Sequence, residues 1–432
     1  MTNRRAFLAD SSRAAAGTFL WSHWPALQPS LVAAAEARAG GSPEALADDE
    51  AYWGLVAQAF VVDGRYVVVN GGGQNPPTRA TLDALTRGEA SAAAQPRPNN
   101  YTLLAQSEPH RQRLARLLGV TADEVAITRN TTEGLNIVIH GLPMARGDEV
   151  VITRFDETYA GPALRNRLQR DGVRVITVPL DVPPDDDATV AAITRAITPR
   201  TRLVIASHIA DGWGFVLPIA RIAAATRRAG VPLLCDGALS CGAIPVDVSA
   251  LGCDYYASSL HKWLGAPLGT GVLVVRRDRI ATTWPLYGSD VDPADIRKFE
   301  DIGTRSGATV AAIGQALDFH ETVGPERKAA RLRYLLQVLL DALAGAPGIT
   351  AYTDPVATRR SGLARIVVEG WPGLALANTL RDRFGFFTFG GFPDRWGGCY
   401  VSPNLFNTPA QMTRFADALR TLAAASPPPP KD

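Results

Sequence analysis

The sequence predicts an α/β fold: a mostly parallel sheet with helices on both faces, followed by a small C-terminal α+β domain. Three observations carry that prediction. Strand-like and helix-length segments alternate from Val125 to Val275, the pattern of crossover units in parallel sheets. The chain has 432 residues, 46% of them apolar and 20% charged, which is enough to bury a large core. From about Trp284 the alternation gives way to a long helical stretch and a short mixed region.

Taken in order, Ala47–Ala59 has a helical pattern, and Tyr66–Asn70 reads as a short strand entering Gly71-Gly72-Gly73. Apolar residues recur at helical spacing from Tyr101 to Leu118. The strand candidates are Val125–Thr128, Glu149–Thr153, Val173–Val178, Leu203–Ser207, Leu233–Cys235, Asp254–Ala257 and Val272–Val275. A long helix is expected from Gly307 to Leu343, broken near Gly324-Pro325, and Pro427–Pro430 begins no new element. These changes divide the chain into 1–37, 38–75, a large domain at 76–284, a small domain at 285–425 and a proline-rich tail at 426–432.

The 44 basic and 42 acidic side chains leave a formal charge of +2, against the clustered basic excess of nucleic-acid proteins. The four cysteines show no C-x-x-C spacing and the six histidines no H-E-x-x-H, so no metal site is expected. No stretch reaches the ~18 consecutive apolar residues of a membrane span. The N-terminus contains Arg4-Arg5-x-Phe7-Leu8, then an apolar run (Ala14–Leu20) and an A-x-A segment at Ala35-Glu36-Ala37. This order resembles a twin-arginine export signal and implies the export machinery as a partner and a periplasmic or otherwise exported product.

Lysine is scarce: Lys262, Lys298, Lys328 and Lys431 are the only four among the 44 basic residues. Lys298 and Lys328 read as lying in charged surroundings and Lys431 in the tail. Lys262 follows a strand in Ser258-Ser259-Leu260-His261-Lys262-Trp263-Leu264, where burial would favour the neutral amine that forms Schiff bases. Asp236 ends the apolar strand 26 residues earlier. It is either a helix N-cap or the partner of a cation such as the protonated pyridine nitrogen of pyridoxal phosphate. Strand Val125–Thr128 runs into Asn130-Thr131-Thr132-Glu133, an N-cap pattern that doubles as an anion site.

These segments, in this order, resemble class V aminotransferases, pyridoxal-phosphate enzymes of fold type I, and the Leu-His-Lys-Trp form is most similar to the isopenicillin N epimerase-like branch. The resemblance implies that Lys262 bonds the cofactor and Asp236 holds its ring nitrogen. It implies that Thr131, Thr132, Ser259 and His261 bind its phosphate, with Tyr159 and His208 beside the ring. It implies a homodimer in which Thr304 reaches the neighbouring subunit's phosphate. Asn70 and Arg305 are the substrate candidates.

Two positions depart from the family pattern. Leu239 stands where a Gln or His contacts the cofactor hydroxyl, and Tyr400 stands where an arginine clamps a substrate carboxylate. Either Arg305 or another arginine replaces that clamp, or the substrate is not held by a carboxylate. The stretch Phe386–Gly391 lacks the loop cysteine of a desulfurase, and Cys399 reads as a strand residue. Epimerase- or aminotransferase-like chemistry on an amino acid or amine is expected. A lyase or decarboxylative enzyme acting on a peptide or siderophore precursor is the alternative, and a silent cofactor-binding protein the third.

Overall fold

The computed structural model describes residues 27–390, 397–425 and 427. Its centre is a seven-stranded sheet. After the short strand β1 (Val67–Val68), the strands are β2 (Val125–Thr128), β3 (Glu149–Thr153), β4 (Arg174–Val178), β5 (Thr201–Ser207), β6 (Leu233–Asp236), β7 (Tyr255–Ser259) and β8 (Gly271–Val275). The spatial order is β2-β8-β7-β6-β5-β3-β4. Only β8 runs antiparallel to its neighbours, so the sheet is mostly parallel, as the alternation predicts.

Burial on both faces explains why these strands read as continuous apolar runs. Alternate residues of β5 point to opposite sides: Leu203 and Ile205 join one core, Val204 and Ala206 the other. The same alternation puts Tyr255, Ala257 and Ser259 on one face of β7. The helix Thr131–Gly141 lies on that face, with Leu135, Ile137 and Val138 in the shared core. Gly134 allows the close approach, because a Cβ there would lie 2.8 Å from the Ala257 Cβ. The helix Ile313–Val323 covers the other face through Ile313, Ala316 and Leu317.

The edges are managed differently. On β4 only Val178 is buried. The outer edge of β2 is capped by side chains: the Ile127 N–H donates to Glu300 at 2.7 Å, and Arg305 donates to the Ile127 carbonyl at 3.2 Å.

The second unit contains a three-stranded antiparallel sheet, with β10 (Ala364–Val368) between β9 (Ile349–Tyr352) and β12 (Cys399–Val401). The strand β11 (Phe386–Phe387) pairs with β1. The expected long helix is three: Gly307–Ala311, Ile313–Val323 and Pro325–Leu343. Gly324, at φ +89°, and Pro325 make the predicted break, and a second falls at Ala312. The Tyr101–Leu118 segment is likewise two helices, Pro96–Leu104 and Ser107–Leu117.

Most of the expected export signal lies outside the described residues. The helix Pro29–Glu36, which contains part of the Ala35–Ala37 segment, buries Leu31 and Ala35 in a cluster with Tyr52, Trp53 and Phe319. Arg327 also donates to the Ala35 and Arg38 carbonyls. Among the described residues no helix is long and apolar enough to cross a membrane.

Candidate active site

Parallel strands direct their carboxyl ends to one edge of the sheet, where loops diverge and leave a cleft. Here the ends of β5, β6 and β7 and the start of the helix after β2 meet. The alternation on β7 carries Ser259 to the first turn of the helix Thr131–Gly141. Its Oγ accepts from the Thr131 N–H at 2.9 Å and lies 2.7 Å from the Thr131 hydroxyl. Asn130 caps the helix by accepting from the Glu133 N–H at 2.9 Å. The Glu133 carboxylate turns back to the Arg129 N–H, so capping and anion geometry coexist. Gly271 fits this turn because a Cβ would meet the Asn130 nitrogen at 2.6 Å. His261 sits beside it with Nδ1 3.3 Å from the Thr270 carbonyl oxygen, and Thr132 is exposed.

Lys262 is half-buried at the surface yet deep among protein atoms, as a residue lining a cleft is. Burial lowers its pKa, while the carboxylates of Asp211 and Asp236 oppose that shift. Asp236 ends β6, and its Oδ1 accepts from the Ala238 N–H at 2.9 Å. Burial pushes its carboxyl up to about 7, the mark of an acid that lacks a strong cationic partner. The Tyr159 ring lies 5.9 Å from Lys262 Nζ, and the charge of Asp211 and burial raise its phenol above the ordinary range.

His208 directly follows β5. Its backbone N–H donates to the Asp236 carbonyl at 2.8 Å, and burial pushes its imidazole down to about 4. Its Nδ1 is buried without a partner among the described residues.

Apolar company does not single out Lys262 among the lysines. Contrary to the sequence expectation, Lys298 and Lys328 are buried too, at 4% and 1% exposure. Lys298 donates to the Ile280 and Pro293 carbonyls, and Lys328 to that of Trp263. Those amines cap backbone carbonyls, whereas the Lys262 amine feels the charges of two carboxylates, Asp211 and Asp236.

Asn70 pairs with Ser402 in a parallel bridge, and Gly72 packs beside Trp263, so this segment joins the second unit to the lysine loop. Within one chain, Arg305 is not brought to Lys262. Ile127 pairs with Val272, which pairs with Ser258, so the far edge of β2 lies about two strand spacings, roughly 10 Å, from β7. The Arg305 guanidinium is held at that edge by Glu300 and the Ile127 carbonyl, which is a role in closing the sheet. Thr304 is exposed and does not join the Thr131–Ser259 cluster within one chain. Leu239 is buried in an apolar cluster with Ile209 and Trp263.

Three residues around the site escaped sequence reasoning: Asp211, Trp213 and Arg365. Arg365 on β10 is the direct cross-strand partner of Tyr400 on β12, so both side chains emerge on one face. The guanidinium lies 4.7 Å from the Trp213 ring centroid and 5.0 Å from that of Tyr400. The vacancy at 400 was the only signal, and finding Arg365 from it required the strand register.

The family model for aminotransferase class-V matches residues 81–389. The chain belongs to this family. It is 30% identical to the isopenicillin N epimerase of Amycolatopsis lactamdurans over 86% of this chain and 98% of that one. The epimerase of Streptomyces clavuligerus gives the same identity and coverage. Among solved structures, the cystine C–S lyase C-DES superposes with a TM-score of 0.75 at 26% identity, covering 84% of this chain and 99% of C-DES. A C-DES variant was solved with glycine covalently linked to its pyridoxal-phosphate cofactor. Within the class-V family this chain falls with the isopenicillin N epimerase-like members, and it is an enzyme of that class.

The residues present fit pyridoxal phosphate. The helix N-terminus with Thr131, Ser259 and His261 would take the phosphate. Asp236 would face the ring nitrogen, and Lys262 would bond the aldehyde carbon. The raised Asp236 carboxyl and the orphaned His208 Nδ1 are the polar groups that such a ring would satisfy.

Proposed function

We propose that this protein is an exported, homodimeric pyridoxal-phosphate enzyme with epimerase- or aminotransferase-like chemistry on an amine-bearing substrate. The observation that carries the proposal is Lys262 facing Asp211 and Asp236 beside the Thr131–Ser259 helix N-terminus. When bound, the cofactor supplies an electron sink for bonds at the amine-bearing carbon. The chain does the rest. Asp236 would keep a proton on the ring nitrogen by offering it a buried carboxylate. Lys262, which would hold the cofactor, would also supply an amine able to move a proton there, since burial lowers its pKa. Tyr159, whose ring lies 5.9 Å from Lys262 Nζ, would cover one face of the cofactor, and Thr304, exposed on one protomer, would be available to the other's phosphate site. Export is supported by the Arg4-Arg5 motif and the residues that follow it.

A lyase acting on a peptide or siderophore precursor is the second reading, favoured by the likeness to a C–S lyase. Desulfurase chemistry is opposed: all four cysteines are buried, and burial pushes the Cys399 thiol up to about 12. The test is the visible spectrum of the full chain mixed with pyridoxal phosphate. A band that appears in the wild type and is lost in Lys262→Ala but kept in Lys298→Ala supports the proposal. A protein that stays colourless overturns it.

A further inference from the structure

At Tyr400 this chain departs from its family's pattern, and the departure has a shape. The arginine missing from position 400 is matched by one on the neighbouring strand, but that one is turned inward. Arg365 is 1% exposed. Its Nε donates to the Gly212 carbonyl at 3.1 Å and its Nη1 to the Gly397 carbonyl, while the guanidinium lies over the Tyr400 ring. With Trp213 on one side and Tyr400 on the other, it is a buried strut.

What the cleft meets instead are Tyr400 and Asp211, both half-buried by surface. Asp211 sits in the tight loop Ala210–Phe215, closed by the Ala210 N–H to Phe215 carbonyl bond of 2.8 Å. The next residue, Gly212, has φ +73°, and any Cβ there would overlap the Tyr400 ring. The loop is therefore fixed against Tyr400, and Asp211 with it. Among the described residues no ion pair reaches the Asp211 carboxylate; burial raises its pKa, and the charges of Lys262 and Arg365 oppose that shift from farther off.

We propose that Asp211 and Tyr400, braced by Arg365, make this site select substrates whose group next to the reacting carbon is uncharged or cationic: an amine, or an amino acid whose carboxyl is blocked as an amide or peptide. A free carboxylate at this wall would meet a like charge and a phenol in place of a bidentate guanidinium. Arg365 is a positioning residue here, because it acts through Tyr400 and the Gly212 loop. The inference rests on the pyridoxal-phosphate reading and sets its decarboxylative arm aside.

The test uses the full chain loaded with pyridoxal phosphate and reads the cofactor band, not turnover. Matched pairs of free and amidated amino acids, with the corresponding simple amines, are titrated across several side-chain types. The amides and amines should bind at least tenfold more tightly than the free acids. Asp211→Asn should narrow that ratio, and Tyr400→Arg should reverse it. A substrate-free readout guards against a variant that folds poorly: the band should titrate at least one pH unit lower in Asp211→Asn, because an anion facing Lys262 has been removed. Equal or tighter binding of free acids overturns the inference, as does an amide and amine panel that shifts nothing, or an unchanged titration. Failure to form any cofactor band would instead overturn the reading beneath it.

Discussion

The two sides of the cleft are built from different kinds of sequence. The phosphate side comes from β7, the turn before β8 and the helix after β2, elements that sit on neighbouring strands of one sheet. Its contacts are backbone N–H groups and short hydroxyls, such as Thr131 with Ser259. The substrate side joins the loop after β5 to β10 and β12, which lie more than 150 residues away and pair in a separate sheet. The first side keeps its family's pattern and the second replaces it. The cofactor end is built from backbone groups and short hydroxyls on adjacent strands, whereas the substrate end is built from long side chains paired across β10 and β12.

The largest effects should therefore come from the shared side. Lys262→Ala should cost about 10²–10⁴-fold in turnover, the range for a positioned acid–base group, measured with excess cofactor present. Asp236→Asn should follow, since removing one partner of a buried pair costs about 3–5 kcal/mol, here read as weakened cofactor binding.

The same variant sharpens the electrostatics. Asp236 has its folded-state carboxyl raised to about 7, so between its ordinary pKa near 4 and about 7 the unfolded chain binds fewer protons. Stability from this group is present at low pH and is lost as pH rises through that window. Cofactor-free wild type should lose stability relative to Asp236→Asn from about pH 4 to 7, by at most about 1.4 kcal/mol per pH unit. Chemical denaturation at a series of pH values measures it, and a difference that stays flat contradicts the burial assigned to Asp236.

Next in size is Ser259→Ala. It removes a hydroxyl that would hydrogen-bond a charged phosphate, worth about 1.5–3 kcal/mol, so cofactor affinity should fall roughly 10- to 100-fold with the substrate preference unchanged. The smallest effect on the site should come from Arg305→Ala. It removes an edge cap of β2, so thermal stability should drop while cofactor and substrate binding stay as they are. A rise in substrate KM without loss of stability would return Arg305 to the site.

The contrast also explains what was legible in the chain. The mostly parallel sheet, Lys262, Asp236 and the Asn130–Glu133 cap could be read because each is a local pattern: an apolar run with a polar residue at its end. Arg305 was named as a replacement for the arginine missing at 400, but sequence alone does not reveal that its guanidinium caps the edge of β2 within one chain. Lys298 and Lys328 were misjudged because charged neighbours in sequence do not reveal that their amines reach buried carbonyls. Asp211 and Arg365 stayed hidden because their meaning comes from the β10–β12 register and the fold of the Gly212 loop.

The central claim is that one lysine of four carries the chemistry. Borohydride reduction of the cofactor-loaded protein, followed by peptide mapping, tests it most directly. A single cofactor adduct on the peptide containing Lys262 is the predicted result. An adduct on Lys298, Lys328 or Lys431, or none in a protein that binds the cofactor, would contradict it.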